Sequence, residues 1–306
     1  MLPAERRPPR CPRGMTRACI TLTWLAANAD LVPLAEPIYD LTAATAARGW
    51  PRGARSSSQS REDAALFYTY FARDLGYRGT FVEIGALDGE MFSNTKVFEE
   101  RLGWRGLLIE GAPGNAQKLM RPGVRPNATK LPLAVCPAGQ GTVMMQGEGA
   151  IATDVADASD AFINRWHRGK RDRGVAVACK PFGEMLRAAG LHGGVDVASI
   201  DVEGAELKVL ETMDWSIPVR VWVVEVDGSS PAKDTAVRRL LRSRAYCRAP
   251  GFLPDYCGAG PPAEPRPLNP KFCTMNEAFE RCRPALVAAE AACPLDVAQR
   301  ACKLNK

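Results

Sequence analysis

The segment FVEIGALDG, residues 81–89, decides the fold of this chain. An apolar run that carries one acid, Glu83, leads directly into a turn that contains Gly85 and Gly89. Short apolar runs are typical of the buried strands of a parallel sheet, and ligands bind beyond the carboxyl ends of such strands. Glycine allows a tight turn and a close approach of a ligand to the backbone. The segment therefore predicts the first strand and the ligand-binding turn of an α/β domain.

The acid in this segment narrows the class of ligand. A dinucleotide-binding turn, G-x-G-x-x-G, places a pyrophosphate against a helix N-terminus, where Glu83 would repel it. The spacing of Glu83, Gly85 and Gly89 instead suits a cationic ligand, and S-adenosylmethionine, with its sulfonium and ammonium groups, is the leading candidate. A nucleotide-dependent oxidoreductase is disfavoured because the chain contains no G-x-G-x-x-G. The alternative is a glycine-rich turn in an unrelated α/β protein.

Three further apolar runs also end in carboxylates, and they cover residues 106–110, 195–203 and 219–227. An amphipathic helix predicted over residues 93–102 completes a right-handed βαβ unit, which brings Glu110 to the same edge of the sheet as Gly85. An acid at that place can accept hydrogen bonds from ribose hydroxyls. Asp201 and Glu203 are predicted to project near the same edge. The recurrence of acids at strand ends argues against coincidence.

These motifs resemble those of the FkbM-type S-adenosylmethionine-dependent methyltransferases over about residues 62–248. The segments that carry the resemblance are residues 81–89, Ser93-Asn94-Thr95, residues 103–110 and residues 199–206. The resemblance implies an α/β class I methyltransferase fold, Rossmann-like, with a mostly parallel seven-stranded sheet and helices on both faces. It also implies O-methylation of a hydroxyl, often on a sugar or a natural product.

The same resemblance implies roles for individual residues. Asp201 and Glu203 would lie where cofactor and acceptor meet, as the base or as an acceptor clamp. Alternatively, Asp201 binds only the cofactor ammonium and Glu203 caps the following helix. The implied cofactor-binding residues are Glu83, Gly85, Ala86, Asp88, Gly89, Asn94 and Glu110. No residue pattern supports a metal ion. The chain departs from the family after Tyr246, because the usual last hairpin is hard to find in residues 247–257.

The N-terminal 29 residues have the pattern of a signal peptide. Arginines up to Arg17 precede an apolar stretch over residues 18–27, and Ala27-Asn28-Ala29 matches a small-x-small cleavage site. An organelle transit peptide is the alternative. The apolar stretch is shorter than the roughly 20 residues that a membrane span needs, so no span is predicted. Residues 30–60 are predicted to be a flexible linker, followed by the methyltransferase domain over residues 61–250.

Cysteine usage indicates an oxidising compartment. Eight cysteines remain after cleavage, and six of them fall in the last 60 residues: Cys247, Cys257, Cys273, Cys282, Cys293 and Cys302. Disulfides are favoured over zinc because no C-x-x-C knuckle occurs. Residues 251–306 are therefore predicted to be a small cysteine-rich helical tail, with a helix over residues 276–292. The predicted location is the secretory lumen or the cell exterior.

Charge and composition restrict the partners. The net charge of +6 comes from 40 basic and 34 acidic residues, and aromatic residues make up 7% of the chain. Nucleic-acid binding is disfavoured because few aromatics lie among the arginines. The basic stretch over residues 165–173 is read as a solvated surface, or as a rim for an acidic glycan. The sequence thus predicts a methyltransferase whose acceptor is a glycan or a small hydroxylated molecule. The alternative is a non-catalytic binding or cargo protein that uses the cysteine-rich tail.

Overall fold

A seven-stranded sheet lies at the centre of the computed structural model, which describes residues 50–51, 54–249, 275–283 and 286–287. The strands of the described residues are β1 Thr80–Ile84, β2 Arg105–Ile109, β3 Ala128–Leu131, β4 Ala134–Val135, β5 Thr142–Gln146, β6 Thr153–Asp154, β7 Val175–Lys180, β8 Val195–Ile200, β9 Val219–Glu225, β10 Tyr246–Arg248 and β11 Asn276–Arg281. The α-helices are α1 Glu62–Leu66, α2 Lys96–Leu102, α3 Pro113–Leu119, α4 Asp160–Trp166, α5 Phe182–Ala188, α6 Glu206–Glu211 and α7 Pro231–Ser243.

The main sheet has the order β10-β11-β9-β8-β1-β2-β3. Strands β9, β8, β1, β2 and β3 are parallel, whereas β11 runs antiparallel to both of its neighbours. The register pairs Ile84 with Ile109 on one side and with Ile200 on the other. The carboxyl ends of β1, β2, β8 and β9 therefore meet at one edge, as the sequence predicts.

Helices cover both faces of this sheet. Phe81 and Val197 pack in one hydrophobic cluster with Phe98 of α2, whereas their strand neighbours Val82 and Ala198 pack in another. The second cluster takes its helical members from α5, α6 and α7. Burial on both faces explains why these strands are continuous apolar runs in the sequence. The structure confirms the predicted α/β fold, in which helices cover both faces of a mostly parallel seven-stranded sheet.

The last hairpin of the sheet is present, although the sequence reading missed it. Residues 276–281, predicted to begin a helix, form the buried strand β11 between β9 and β10, so that prediction is wrong. The strand was hidden because it carries charges, one of which is neutralised by an ion pair of Glu277 with Arg238 at 2.9 Å. Its hairpin partner β10 ends at Arg248, and 27 residues separate it from Asn276, so the connection is not a short loop. The sheet therefore does not end at residue 250.

A smaller four-stranded sheet, with the order β4-β7-β5-β6, covers one side of the strand-end edge. A disulfide between Cys136 and Cys179 joins the residue after β4 to β7, with Cα atoms 5.6 Å apart. A second disulfide, Cys247–Cys282, joins β10 to the residue after β11. The four cysteines that the structure describes are thus all paired, as predicted for the chain.

Replacing both Cys136 and Cys179 with alanine should lower the free energy of unfolding by about 2–4 kcal/mol, because this cross-link restricts the unfolded chain. The two cysteines are separated by 43 residues in the sequence, so the constraint is substantial. Guanidinium unfolding without reductant measures the effect. A loss below about 1 kcal/mol would show that the bridge does not constrain the unfolded chain as proposed.

Several sequence predictions concern the ends of the chain. The signal peptide, the first part of the linker and most of the cysteine-rich tail lie outside the described residues. The described end of the predicted linker contacts the domain: Trp50 packs edge-on against Phe67 at 5.4 Å, and Ser56 donates to Asp63 at 2.7 Å. Within the described ranges, no helix combines the length and apolar character needed to cross a bilayer.

Candidate active site

A cavity of about 300 Å³ opens at the edge where the parallel strands end. Its walls include Gly85 after β1, Glu110 after β2, Asp201 after β8 and Glu225 at the end of β9. The smaller sheet supplies the opposite wall, with Val135 and neighbouring residues. The volume falls at the lower end of the range for small-molecule sites. The residues that the sequence predicted to converge are therefore brought together around one cavity.

The turn after β1 is built for close approach of two strands. Gly85 has a φ of +83°, and an added Cβ would overlap the carbonyl oxygen of Asp201. The amides of Gly85 and Ala86 both donate to the Ile109 oxygen, at 3.0 and 3.1 Å. The glycine thus lets β8 and β2 close against the turn, which fixes the floor of the cavity.

Three non-glycine residues of the cavity wall have a strained backbone conformation. Leu87, Phe92 and Glu203 line the cavity, and each has a positive φ, of 52°, 59° and 52° respectively. Non-glycine residues adopt this conformation at an energetic cost and persist in it where surrounding structure holds them. Such strain is characteristic of binding and catalytic sites.

Glu83 organises the loop beside the cavity rather than leaving its carboxylate free. Its oxygens accept hydrogen bonds from Ser93 Oγ at 2.8 Å, Asn94 N at 2.8 Å and Thr95 Oγ1 at 2.6 Å. The buried Arg125 guanidinium lies 3.7 Å away. Glu83 lines the cavity, but its three short hydrogen bonds are all to this loop. Its predicted contact with the cofactor stays a prediction.

Glu110 bridges two segments of the cavity wall. Its carboxylate accepts hydrogen bonds from the amides of Leu87 at 2.8 Å and Ala112 at 2.7 Å. Burial raises the pKa of Glu110 to about 7, although these amides oppose the rise. A carboxylate in this position can accept further hydrogen bonds from ligand hydroxyls.

Carboxyl groups crowd the ends of β8 and β9. Oxygens of Asp201, Glu203 and Glu225 all lie within 4.8 Å of one another. Burial, and then repulsion from neighbouring acids, raises the pKa of Glu203 to about 10 and that of Glu225 well above its ordinary value. Burial also raises the pKa of Asp201 to about 6, while a hydrogen bond with Glu225 opposes the rise. The raised pKa values mean that the cluster holds protons that a bound cation would displace.

The comparisons with known proteins identify the family. A family model described as the methyltransferase FkbM domain matches residues 83–247, which is more than half of the chain. The chain belongs to the FkbM methyltransferase family. The FkbM match begins inside β1 and ends inside β10, so it covers each strand end that contributes an acid to the cavity.

One solved structure provides a further comparison for the FkbM domain. The methyltransferase FkbM from Methylobacillus flagellatus KT is 13% identical, with a TM-score of 0.36, over 69% of this chain and 46% of that chain. This chain thus spans less than half the length of that relative. A search of curated proteins found no match.

The predicted site residues of the FkbM domain divide into two groups. Those that line the cavity are Glu83, Gly85, Asn94, Glu110, Asp201 and Glu203. Three others shape the turn instead. Asp88 Oδ1 accepts hydrogen bonds from the amides of Glu90 and Met91. Ala86 is buried, and Gly89 packs beside Leu119.

Some cavity residues of the FkbM domain were not assigned from the sequence. Glu225 and Asp227 belong to the fourth apolar run, so their place at a strand end could have identified them. Glu206 accepts hydrogen bonds from the amides of Val202 and Gly204. The helix-capping role that the sequence offered as an alternative for Glu203 is thus closer to the role of Glu206. The wall from the smaller sheet carried no sequence motif. The expectation that no metal is used stays a prediction.

Replacing Gly85 with alanine should destabilise the FkbM domain by about 2–4 kcal/mol, because left-handed strain and overpacking add. Gly123→Ala is the matched control: Gly123 also has a φ of +83°, but nothing lies within 4 Å of its Cβ position. The control should lose only about 1–2 kcal/mol. Chemical denaturation of both variants measures the difference, and equal losses would refute the close approach of Asp201.

Proposed function

We propose that the chain is an S-adenosylmethionine-dependent O-methyltransferase that acts on a hydroxyl of a glycan or small hydroxylated molecule in the secretory pathway. The observation that carries the proposal is the acid cluster of Asp201, Glu203 and Glu225 in one cavity with Gly85 and Glu110. Acids at the strand ends suit a cationic nucleoside cofactor and disfavour a pyrophosphate. Membership in the FkbM methyltransferase family supports the transfer of a methyl group.

The residues present fit this cofactor. Asn94 is 4% exposed and lines the cavity, and its Oδ1 has no hydrogen-bond partner in the described part of the chain. Its amide nitrogen donates to Ser199 Oγ at 2.9 Å, which fixes the side chain. An orphaned acceptor beside the acid cluster suits an ammonium donor. Glu110 would hold the ribose hydroxyls, and the unpartnered Asn94 Oδ1 would accept a hydrogen bond from the ammonium end.

The acids supply the remaining chemistry. When bound, the cofactor offers a methyl group that its sulfonium already activates. Asp201, with a pKa raised to about 6 by burial, is a base near neutral pH and accepts the proton of the acceptor hydroxyl. Glu203, with a pKa raised to about 10 chiefly by burial, retains its proton and donates a hydrogen bond to the acceptor. The two carboxyls thus divide the roles of base and clamp.

The disulfides support a secretory location. Both Cys136–Cys179 and Cys247–Cys282 are cross-links of a kind that persists in oxidising compartments. Strands β10 and β11 form the last hairpin of the sheet. The difficulty of finding this hairpin in the sequence was an argument for a non-catalytic binding protein, and that argument no longer holds. The catalytic reading is therefore the better supported of the two.

Calorimetry with S-adenosylmethionine tests the proposal. We expect the wild-type chain to bind, and Glu110→Ala to weaken binding by about tenfold or more, since it removes charged acceptors from the ribose site. Glu90→Gln is the control because Glu90 is exposed at the neighbouring turn and should leave affinity unchanged. No heat and no thermal shift at millimolar cofactor would overturn the proposed function. A Glu110→Ala variant that binds like wild type would refute the ribose assignment alone.

A further inference from the structure

Helix α4 ends at the mouth of the cavity and is held there firmly. Ser159 Oγ caps its start by accepting the Phe162 amide at 3.0 Å. At its end, His167 Nε2 donates to the Ile151 oxygen at 2.9 Å, and Ile151 lines the cavity. Phe162 and Ile163 are buried beneath the helix. These contacts therefore fix the position of the last turn of α4 at the mouth of the cavity.

Apolar side chains surround the mouth of the cavity. Trp166, the last residue of α4, lines the cavity and is 39% exposed. Phe92 and Met91 also line it, with 39% and 46% of their surface exposed. A tryptophan ring offers a flat apolar surface with little conformational freedom to lose. An apolar rim above a floor of carboxyl groups is suited to a ring that has an apolar face and several hydroxyls.

A cationic group lies on this rim. The Arg165 guanidinium stacks over the Trp166 ring, 4.6 Å from its centroid, and is exposed. Its charge acts on Glu203 in the cavity floor, where it opposes the rise in the pKa of that carboxyl. Arg165 forms no ion pair within the described part of the chain, unlike Arg171, which pairs with Asp160. Arg165 is thus a positioned cation whose charge no described side chain neutralises.

We propose that the rim formed by Arg165, Trp166 and Phe92 binds an acceptor that is a sugar ring carrying an anionic group. This inference rests on the proposed function, since it names the acceptor class of the same cavity. The apolar face of the ring stacks on Trp166, and the anionic group pairs with Arg165. The reacting hydroxyl points inward to Asp201.

Electrostatics fixes this orientation. Seven acidic residues line the cavity, and the ionised members of this set repel an anionic group, which is therefore favoured at the rim. The segment that follows α4 carries further exposed cations, Arg168, Lys170 and Arg173. A carboxylate or a phosphate can accept two parallel hydrogen bonds from a guanidinium. Sugar hydroxyls in turn donate to carboxylates. Of the two interpretations that the sequence left open for the basic stretch, a solvated surface or a rim for an acidic glycan, this inference favours the second.

The proposed preference for an anionic sugar ring is measured with two ligands that differ in one group. p-Nitrophenyl β-D-glucuronide and its neutral analogue p-nitrophenyl β-D-glucoside are titrated calorimetrically, with and without saturating S-adenosylhomocysteine. We expect the glucuronide to bind about tenfold more tightly, and this preference to fall as salt is added. Equal affinity for the two ligands, or no binding of either, would overturn the inference.

Variants distinguish the contribution of the Arg165 charge to binding from that of the Trp166 ring. Arg165→Gln should reduce the preference to about twofold or less, and Trp166→Ala should weaken both ligands by about tenfold. Trp166→Phe should restore part of the affinity. Arg105→Gln is the control because Arg105 is exposed at the amino end of β2, at the opposite edge of the sheet. A preference that survives Arg165→Gln would refute the inference. Failure of S-adenosylhomocysteine to bind would count against the proposed function only, because the ligands are also titrated without it.

Discussion

Replacing Arg125 with methionine should lower the free energy of unfolding by about 3–5 kcal/mol, because it leaves buried acids without their partner. Arg125 is 2% exposed, and its guanidinium forms ion pairs with Glu99 and Glu83. Both acids are buried, so neither can be solvated when the guanidinium is removed. Urea unfolding followed by circular dichroism measures the loss.

The guanidinium also connects the segments around the cavity. It donates to the Gly89 oxygen at 3.0 Å and to the hydroxyls of Ser93 and Thr95 at 2.9 Å each. These contacts join the turn after β1 to the loop that carries Asn94. We therefore expect the variant to lose cofactor affinity as well as stability, even though Arg125 does not line the cavity.

Two controls make the prediction specific. Arg121→Met removes an exposed arginine four residues earlier, and surface changes of this kind usually alter stability by less than about 0.5 kcal/mol. The double variant Arg125→Met with Glu99→Gln should be more stable than the sum of the single losses predicts, because it removes both members of one pair. A loss below about 1 kcal/mol for Arg125→Met would contradict the proposed role.

The strand-end acids could be predicted because topology alone brings them together. Parallel strands in register end at one edge, so Glu110 and Asp201 had to lie near Gly85 once the apolar runs were recognised as adjacent strands. The same argument applies to Glu225, which the sequence reading noted as the end of a run but did not assign. The pattern of apolar residues within each strand was therefore sufficient to predict the strand-end part of the site.

The environment of Glu83 could not be predicted in the same way. Its carboxylate is directed to the loop over residues 93–95 because Arg125, 42 positions later in the sequence, closes a network of hydrogen bonds around it. No local pattern links those segments. An acid beside a glycine turn looks equally suited to a ligand or to an internal network, and only tertiary packing distinguishes the two.

The wall opposite the strand ends was likewise beyond prediction. The smaller sheet depends on the pairing of β7 with β4 and β5, which joins segments that are distant in the sequence. The apolar run of β7 is buried only at alternate residues, so it does not indicate on which face the cavity lies. The place of Trp166 over the cavity follows from the bond between His167 and Ile151, which sequence spacing does not indicate. Non-local contacts therefore determine this wall of the cavity.

Cofactor affinity should rise with pH, by about tenfold between roughly pH 5.5 and pH 7, because cation binding favours ionised carboxyls. Burial raises the pKa of Asp201 to about 6 and that of Glu110 to about 7, and both residues line the cavity, so these groups carry protons in the free protein at the lower pH. A bound cation lowers their pKa values, and protons are released on binding. The affinity must therefore increase as pH rises through the raised pKa values, and level off above them.

The free protein should show the opposite trend in stability. An acid whose pKa is raised by folding binds protons more tightly in the folded than in the unfolded state, so stability is greatest at low pH and falls as pH rises towards the raised pKa. Saturating S-adenosylmethionine should offset this fall. Thermal unfolding across the same pH window, with and without the cofactor, measures both trends.

Calorimetry in buffers of different ionisation enthalpy counts the released protons directly. Sinefungin, which has a cationic amine in place of the sulfonium, should release as many protons as S-adenosylmethionine, whereas S-adenosylhomocysteine, which lacks that charge, should release fewer. Asp201→Asn should flatten the pH dependence, and Glu184→Gln, a change at an exposed acid on α5, should leave it intact. Equal proton release by all three ligands would show that the acid cluster does not sense the charge at the sulfonium position.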